Sequence, residues 1–238
     1  MKKRLFLFFI TTAMILTSCE TLNKLASGMV TEQDAIDAVR EALMIGSNYG
    51  SSLLGQKGAF SKETLVAAIF PPEFQKVAST LQQLGLSKEV DRFTHTLGSC
   101  AEKTASQSAP VFIHGIKKMN ISDAIGIVKN GGNAATDFLR RTIGDTLRRA
   151  IAPNMQAALD EYKIARQWDE LVQPAKVFLG NKVNLDISNL MAGLVCNMMF
   201  NKIEEKERAI RASVQARETP LLQKVFGYDW SRNGTGMK

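Results

Sequence analysis

From residue 31 onward, apolar side chains recur every three or four residues, the period of one helix face. Period-two alternation between turn signals is missing. Thr31, followed three residues later by Asp34, marks a helix start, with Ile36, Val39 and Leu43 on one face. Gly46 and Gly50 predict a loosened end, and residues 51–70 read as loop with one short apolar segment. Pro71-Pro72 sets the first turn of a helix that runs to Leu84 and closes at Gly85. Ser87 opens a long helix striped by Val90, Phe93, Leu97 and Ala101. The small residues Ser99, Ala105, Ser106 and Ala109 flank that stripe and allow close helix approach.

Pro110 restarts the chain into Val111–Met119, Ser122 caps a short helix, Gly131-Gly132 ends it, and Asn133 is placed to cap the next. From Ala134 to Ile151, Leu139, Ile143, Leu147 and Ile151 return every four residues. Asp137–Arg141 and Asp145–Arg149 are spaced as ion pairs on the other side. Pro153 predicts a new segment, and residues 154–179 read as two helices around Trp168 and Pro174. After a polar interruption from Gly180 to Asp186, one helix carries Ile187, Leu190, Met191, Leu194, Met198 and Ile203. It continues through Arg211, with Glu204–Arg208 and Glu207–Arg211 at favourable spacing. Thr219-Pro220 starts a last short helix that buries Leu221, Leu222, Val225 and Phe226, and Gly227 stops it. The predicted class is all-α: a single compact bundle of about eight to ten helices over residues 31–227, followed by a flexible tail at 228–238.

The amino terminus follows a different pattern. Lys2, Lys3 and Arg4 precede a twelve-residue apolar run, Leu5 to Leu16, too short to span a bilayer. The run closes on Leu16-Thr17-Ser18-Cys19, the small-residue box of a bacterial lipoprotein. Residues 1–18 therefore read as a cleaved signal peptide and residues 19–30 as a tether lipidated at Cys19, where two or three acyl chains give stable anchoring. Glu20 is no firm inner-membrane retention signal, which makes the periplasmic face of the outer membrane the expected address in the cell envelope.

Composition narrows the function classes. Removing the leader lowers the net charge from +7 to +4 over 220 residues, and aromatics make up only 7% of the chain. That is too dilute a basic face for a nucleic-acid partner and fits solubility beside anionic lipid. Cys100 and Cys196 fall on segments that read as buried helix. Pairing in an oxidising periplasm and two separate buried thiols both stand, the second being the plainer reading.

Candidate chemistry is sparse. His95 and His114 lie nineteen residues apart without a further ligand at helical spacing, so neither a metal nor another cofactor is expected. No G-x-S-x-G elbow is present to support a serine hydrolase. Lys129-Asn130-Gly131-Gly132-Asn133 precedes a helix whose first N–H groups can take an anion, although a glycine C-cap followed by an asparagine N-cap explains the same residues. Glu102, Lys103, Asp123, Thr136, Asp137, Arg140 and Arg141 form a charged cleft for an anionic or zwitterionic ligand if the polar faces of their helices converge; otherwise they are solvated ion pairs. Arg140, Arg141, Arg148 and Arg149 touch anionic lipid if they share an accessible face. Met191, Met198 and Met199 are either an adaptable groove for a peptide or lipid, or core.

An ordered set of short motifs adds to this. Cys100-Ala101-Glu102-Lys103, Ile116-Lys117-Lys118-Met119, Ser122-Asp123-Ala124, and Gly131-Gly132 before Ala134-Ala135-Thr136 form its first half. Ile203 to Glu205, Ile210-Arg211 and Leu221 to Gly227 complete it. In these the chain resembles bacterial domain-of-unknown-function family 4197 over about residues 31–227. The resemblance implies an all-helical envelope protein and brings no activity or catalytic residues. The chain departs from the family pattern at Asp137-Phe138-Leu139, where an aromatic pair is common, and at Ser213 to Ala216, where a proline is common. The expectation is a lipid-anchored, non-enzymatic binding module for an envelope protein, polymer or small ligand. A helical enzyme using Glu102, Asp123 or Asp137 and a structural scaffold are the alternatives.

Overall fold

Thr31 and Asp34 cap one another at the start of the first helix. The Asp34 N–H donates to Thr31 Oγ1 (3.1 Å) and the Thr31 N–H to Asp34 Oδ2 (2.9 Å). Lys224 Nζ, 2.9 Å from the same Oδ2, holds the Asp34 carboxyl down at about 2 and ties the two ends of the domain together. The helices that follow are α1 (Glu32–Leu54), α2 (Lys62–Ile69), α3 (Gln75–Gln83), α4 (Ser87–Ser106) and α5 (Ala109–Lys118). Then come α6 (Ala124–Lys129), α7 (Ala134–Glu161), α8 (Ile164–Val172), a 3-10 turn at Gln173–Ala175, α9 (Ile187–Ala212) and α10 (Pro220–Phe226).

The computed structural model describes residues 29–70, 75–175 and 186–230, and no strand occurs among them. The leader, Cys19, Pro71-Pro72, the stretch from Gly180 to residue 185 and the tail beyond Trp230 lie outside the described residues. Among the described residues no helix is long and apolar enough to cross a membrane.

The central element is α9, which packs antiparallel along both α1 and α7, while α5, α6 and α10 close over α1. The core is continuous through these helices: Leu43, Leu97, Phe112, Leu139, Ile151, Met191, Met199 and Ile203 are fully buried. Phe112 meets Phe200 edge-on at 5.4 Å, and Trp168 of α8 is wedged against Phe70 and Phe93. Met191 and Met199 therefore serve as core, with Met198 half-buried beside them.

Several local expectations are corrected by the structure. Gly46 and Gly50 do not end α1. A Cβ on Gly46 would lie 3.1 Å from the Cα of Ile203, and one on Gly50 3.1 Å from the Cβ of Lys202, so both glycines let α1 and α9 approach closely. Residues 51–70 accordingly hold the end of α1 and the whole of α2. Pro153 does not break α7. An interior proline costs about 3 kcal/mol, but burying Ile151 and Met155 on either side returns about 1.5–3 kcal/mol each, and both are fully buried. Asp123, not Ser122, caps α6; it adopts a left-handed backbone (φ +55°) and its Oδ1 accepts from the Gly126 N–H at 3.0 Å. The tail keeps structure as far as Trp230, which packs on Tyr228 at 4.8 Å and donates to the Val225 carbonyl at 3.3 Å.

Substituting Gly46→Val is expected to lower stability by about 1–3 kcal/mol through overpacking. Gly193→Ala, whose Cβ would meet only the Arg148 Cδ at 3.9 Å, is expected to be neutral or stabilising because alanine favours the helix interior. Chemical denaturation of the two variants checks the contrast.

Candidate functional site

Glu207 is 1% exposed, and a carboxylate removed from water is tolerated only when its charge and lone pairs are matched. The match here is complete. Its Oε1 accepts from the Ala135 N–H (2.9 Å), and its Oε2 accepts from the Thr136 N–H (2.7 Å) and the Thr136 hydroxyl (2.6 Å). Those amides belong to the first turn of α7, where no intrahelical acceptor exists and the helix dipole favours an anion. Arg211, one turn along α9, places Nε at 2.9 Å and Nη2 at 2.8 Å from Glu207 Oε1.

The same guanidinium donates to the carbonyls of Val128 (2.8 Å) and Ile127 (3.1 Å) at the end of α6. Gly131 (φ +70°) and Gly132 (φ +60°) take the left-handed turn that brings these two helix ends together. Phe226 of α10 lies 5.1 Å from the Arg211 guanidinium, and Arg217 donates to the last carbonyls of α9 at Ile210 and Arg211 (2.9 Å each). Segments more than seventy residues apart thus meet in one polar knot.

This arrangement decides several expectations. The helix N-terminus after Gly131-Gly132 does bind an anion, and the anion is the protein's own Glu207 carboxylate. Asn133 does not cap α7 with its side chain; its Nδ2 donates instead to Asp137 Oδ1 at 3.1 Å. Thr136 is 0% exposed and committed to Glu207, so its hydroxyl is closed to any ligand. Glu207 itself was expected only as half of a favourable pair. The available signal was register, because Met199, Ile203 and Ile210 share its helix face and all are buried.

The other predicted site residues fall in separate places. Glu102 accepts from the Gly58 N–H at 2.6 Å and lines a cleft of about 300 Å³ between α2 and α4, together with Lys57, Phe60, Lys62 and His95. Lys62 bridges this cleft to Asp91 at 2.5 Å. Lys103 pairs with Glu161, and that hydrogen bond holds the lysine above its ordinary range. Asp123 caps α6. Arg140 lies over the Phe200 ring at 4.6 Å and lines, with Arg141 and Arg148, a second recess of about 260 Å³ between α7 and α9. The two expected pairs on α7 do not form: Asp137 turns to Asn133, and Arg149 donates to the Thr146 hydroxyl (3.4 Å).

His114 is exposed on α5, and among the described residues no group of three or more His, Cys, Asp or Glu side chains is placed to hold a metal. Cys100 and Cys196 are free and buried. Desolvation pushes the first thiol up to about 12 and the second to about 11, which keeps both unreactive.

An all-helical domain whose helix ends are tied by one buried ion pair is the class that fold and site together define. Residues 29–227 match the family model described as Protein of unknown function (DUF4197), and the chain belongs to that family. No curated protein and no solved structure matches it.

Removing the Glu207 carboxylate strands Arg211 and two α7 amides. Glu207→Ala is therefore expected to cost about 3–5 kcal/mol. Arg211→Ala should cost a similar amount, and the double variant less than the sum. Urea denaturation of the three variants checks this.

Proposed function

We propose that this protein is a lipid-anchored module of the bacterial cell envelope that works by binding rather than by catalysis. The observation that carries the reading is the separation of its motif carboxylates. Glu102 holds the Gly58 loop, Asp123 caps α6 and Asp137 accepts from Asn133. An acid–base mechanism needs two such groups directed at one reacting centre, and each of these is committed to a different local partner. The open cleft beside Glu102 and the recess beside Arg140 are surfaces open to a ligand or partner. The leader and the Leu16-Thr17-Ser18-Cys19 box support anchoring at Cys19, with the outer membrane facing the periplasm as the address.

The full chain expressed in a Gram-negative host should yield a mature protein that begins at Cys19, carries acyl mass and sediments with membranes. Cys19→Ala should move it to the soluble fraction. A mature chain without acyl mass that fractionates freely contradicts the anchor. Turnover in a broad hydrolase screen, lost on substitution of Glu102 or Asp123, contradicts the binding role.

A further inference from the structure

We propose that the arginine face of α7 seats the phosphate of an anionic phospholipid headgroup, so that the domain lies against the leaflet that holds its anchor. Arg140, Arg141, Arg148 and Arg149 fall within ten residues, and their neutralisation is incomplete. Arg148 has only Asp145, at 4.0 Å. Among the described residues, Arg140, Arg141 and Arg149 have no carboxylate within salt-bridge distance, whereas on α9 Lys202, Lys206, Arg208 and Arg211 each have one.

Three of these arginines line one recess, spread along it rather than gathered at a point: Arg140 sits at the level of Phe200 and Arg148 at that of Asn189. Arg140, Arg141 and Arg148 line the α7–α9 recess, where Thr142, Thr146 and Asn197 add hydrogen-bonding groups and one carboxylate, Asp145, stands 4.0 Å from Arg148. Two of the three are held in place without a ligand: Arg140 by its stacking on Phe200 at 4.6 Å, and Arg148 by donation to Asn189 Oδ1 at 3.2 Å. Guanidiniums fixed in this way suit the oxygens of a phosphodiester, which they bind in bidentate fashion, and they lose little freedom on doing so.

A lipid source is favoured over a soluble one because the recess is shallow and open, and because of reach. With Gly46 against Ile203 and Gly50 against Lys202 and Met199, Asn197 lies level with the end of α1, about 30 Å from where that helix begins. The twelve residues from Cys19 to Val30 span up to about 40 Å when extended. The tether therefore allows the face to meet the headgroups of its own membrane, where local lipid concentration is high, and a basic patch supplies the second signal that complements an acyl anchor. The inference rests on the anchored reading for its setting, but not for its test.

The chain from residue 19 onward, made without acyl groups as Cys19→Ser, contains the whole core described above. It is mixed with vesicles of phosphatidylcholine alone or of equal parts phosphatidylcholine and phosphatidylglycerol, and co-sedimentation is measured. Binding is expected only to the anionic vesicles and should weaken with added salt. It should fall about a hundredfold in Arg140→Gln/Arg141→Gln/Arg148→Gln. Lys88→Gln/Lys118→Gln/Arg166→Gln, which removes the same charge elsewhere, should bind like the parent. Arg141→Gln alone, at an exposed position, should weaken binding in the same direction and covers the case in which the triple variant melts early.

Equal loss in both triple variants would overturn the site in favour of general charge attraction. Saturable binding of inorganic phosphate with no vesicle binding would overturn the lipid source. Absence of binding to either would overturn the proposal while leaving the Cys19 anchor untouched.

Discussion

The buried pair of Glu207 and Arg211 is the constraint on which the arrangement of this bundle depends. A helix start and a helix end each leave backbone groups without intrahelical partners, and burying both beside a tight glycine turn would cost several kcal/mol of unmatched polar surface, at about 1–3 kcal/mol for each group. Glu207 closes the start of α7, Arg211 closes the end of α6, and each neutralises the other. One residue pair on α9 therefore fixes where two other helices stop and begin. The interaction also sets an orientation: with Glu207 at the first turn of α7, the antiparallel course carries Arg140 to Phe200 and Arg148 to Asn189.

Close approach supplies the second constraint. Gly46 and Gly50 remove two side chains from the α1–α9 seam, and Ser51 Oγ donates across to the Ala105 carbonyl at 2.7 Å, joining α1 to α4. Small residues bring backbones together, and the large apolar side chains around them then fill the core at high density. The continuity of α7 through Pro153 follows from the same balance, since the local cost of a missing N–H is smaller than the apolar burial that keeps both halves in one line.

Much of the helical plan was legible from residue order. Caps at Thr31 and Thr219 and the apolar stripes of α4, α7 and α9 are local features, and they fold as their local chemistry directs. What was hidden depends on partners distant in the chain. Nothing near Gly46 tells whether it ends a helix or meets Ile203, and nothing near Asn133 shows that Glu207 will cap α7 in its place. Thr136 and Arg140, four residues apart and read as members of one cleft, end on opposite sides of the decisive boundary: one sealed in the knot, the other at the surface. Spacing gives the face of a helix, but the assignment of that face to core or solvent comes from the helices packed against it. The same limit explains Asp137 and Arg141, whose ideal spacing loses to an asparagine at the helix start.

In this picture α7 has a tied end and a free face. Its first turn is locked by charge inside the protein, while its middle turns present charge outward. The most direct measurement of the central claim is native-state hydrogen exchange at the Ala135 and Thr136 amides. First-turn amides ordinarily exchange fast because they lack intrahelical acceptors. The account predicts that these two exchange only through global unfolding, as slowly as the core of α9. Exchange at the rate of an ordinary frayed helix start would contradict it.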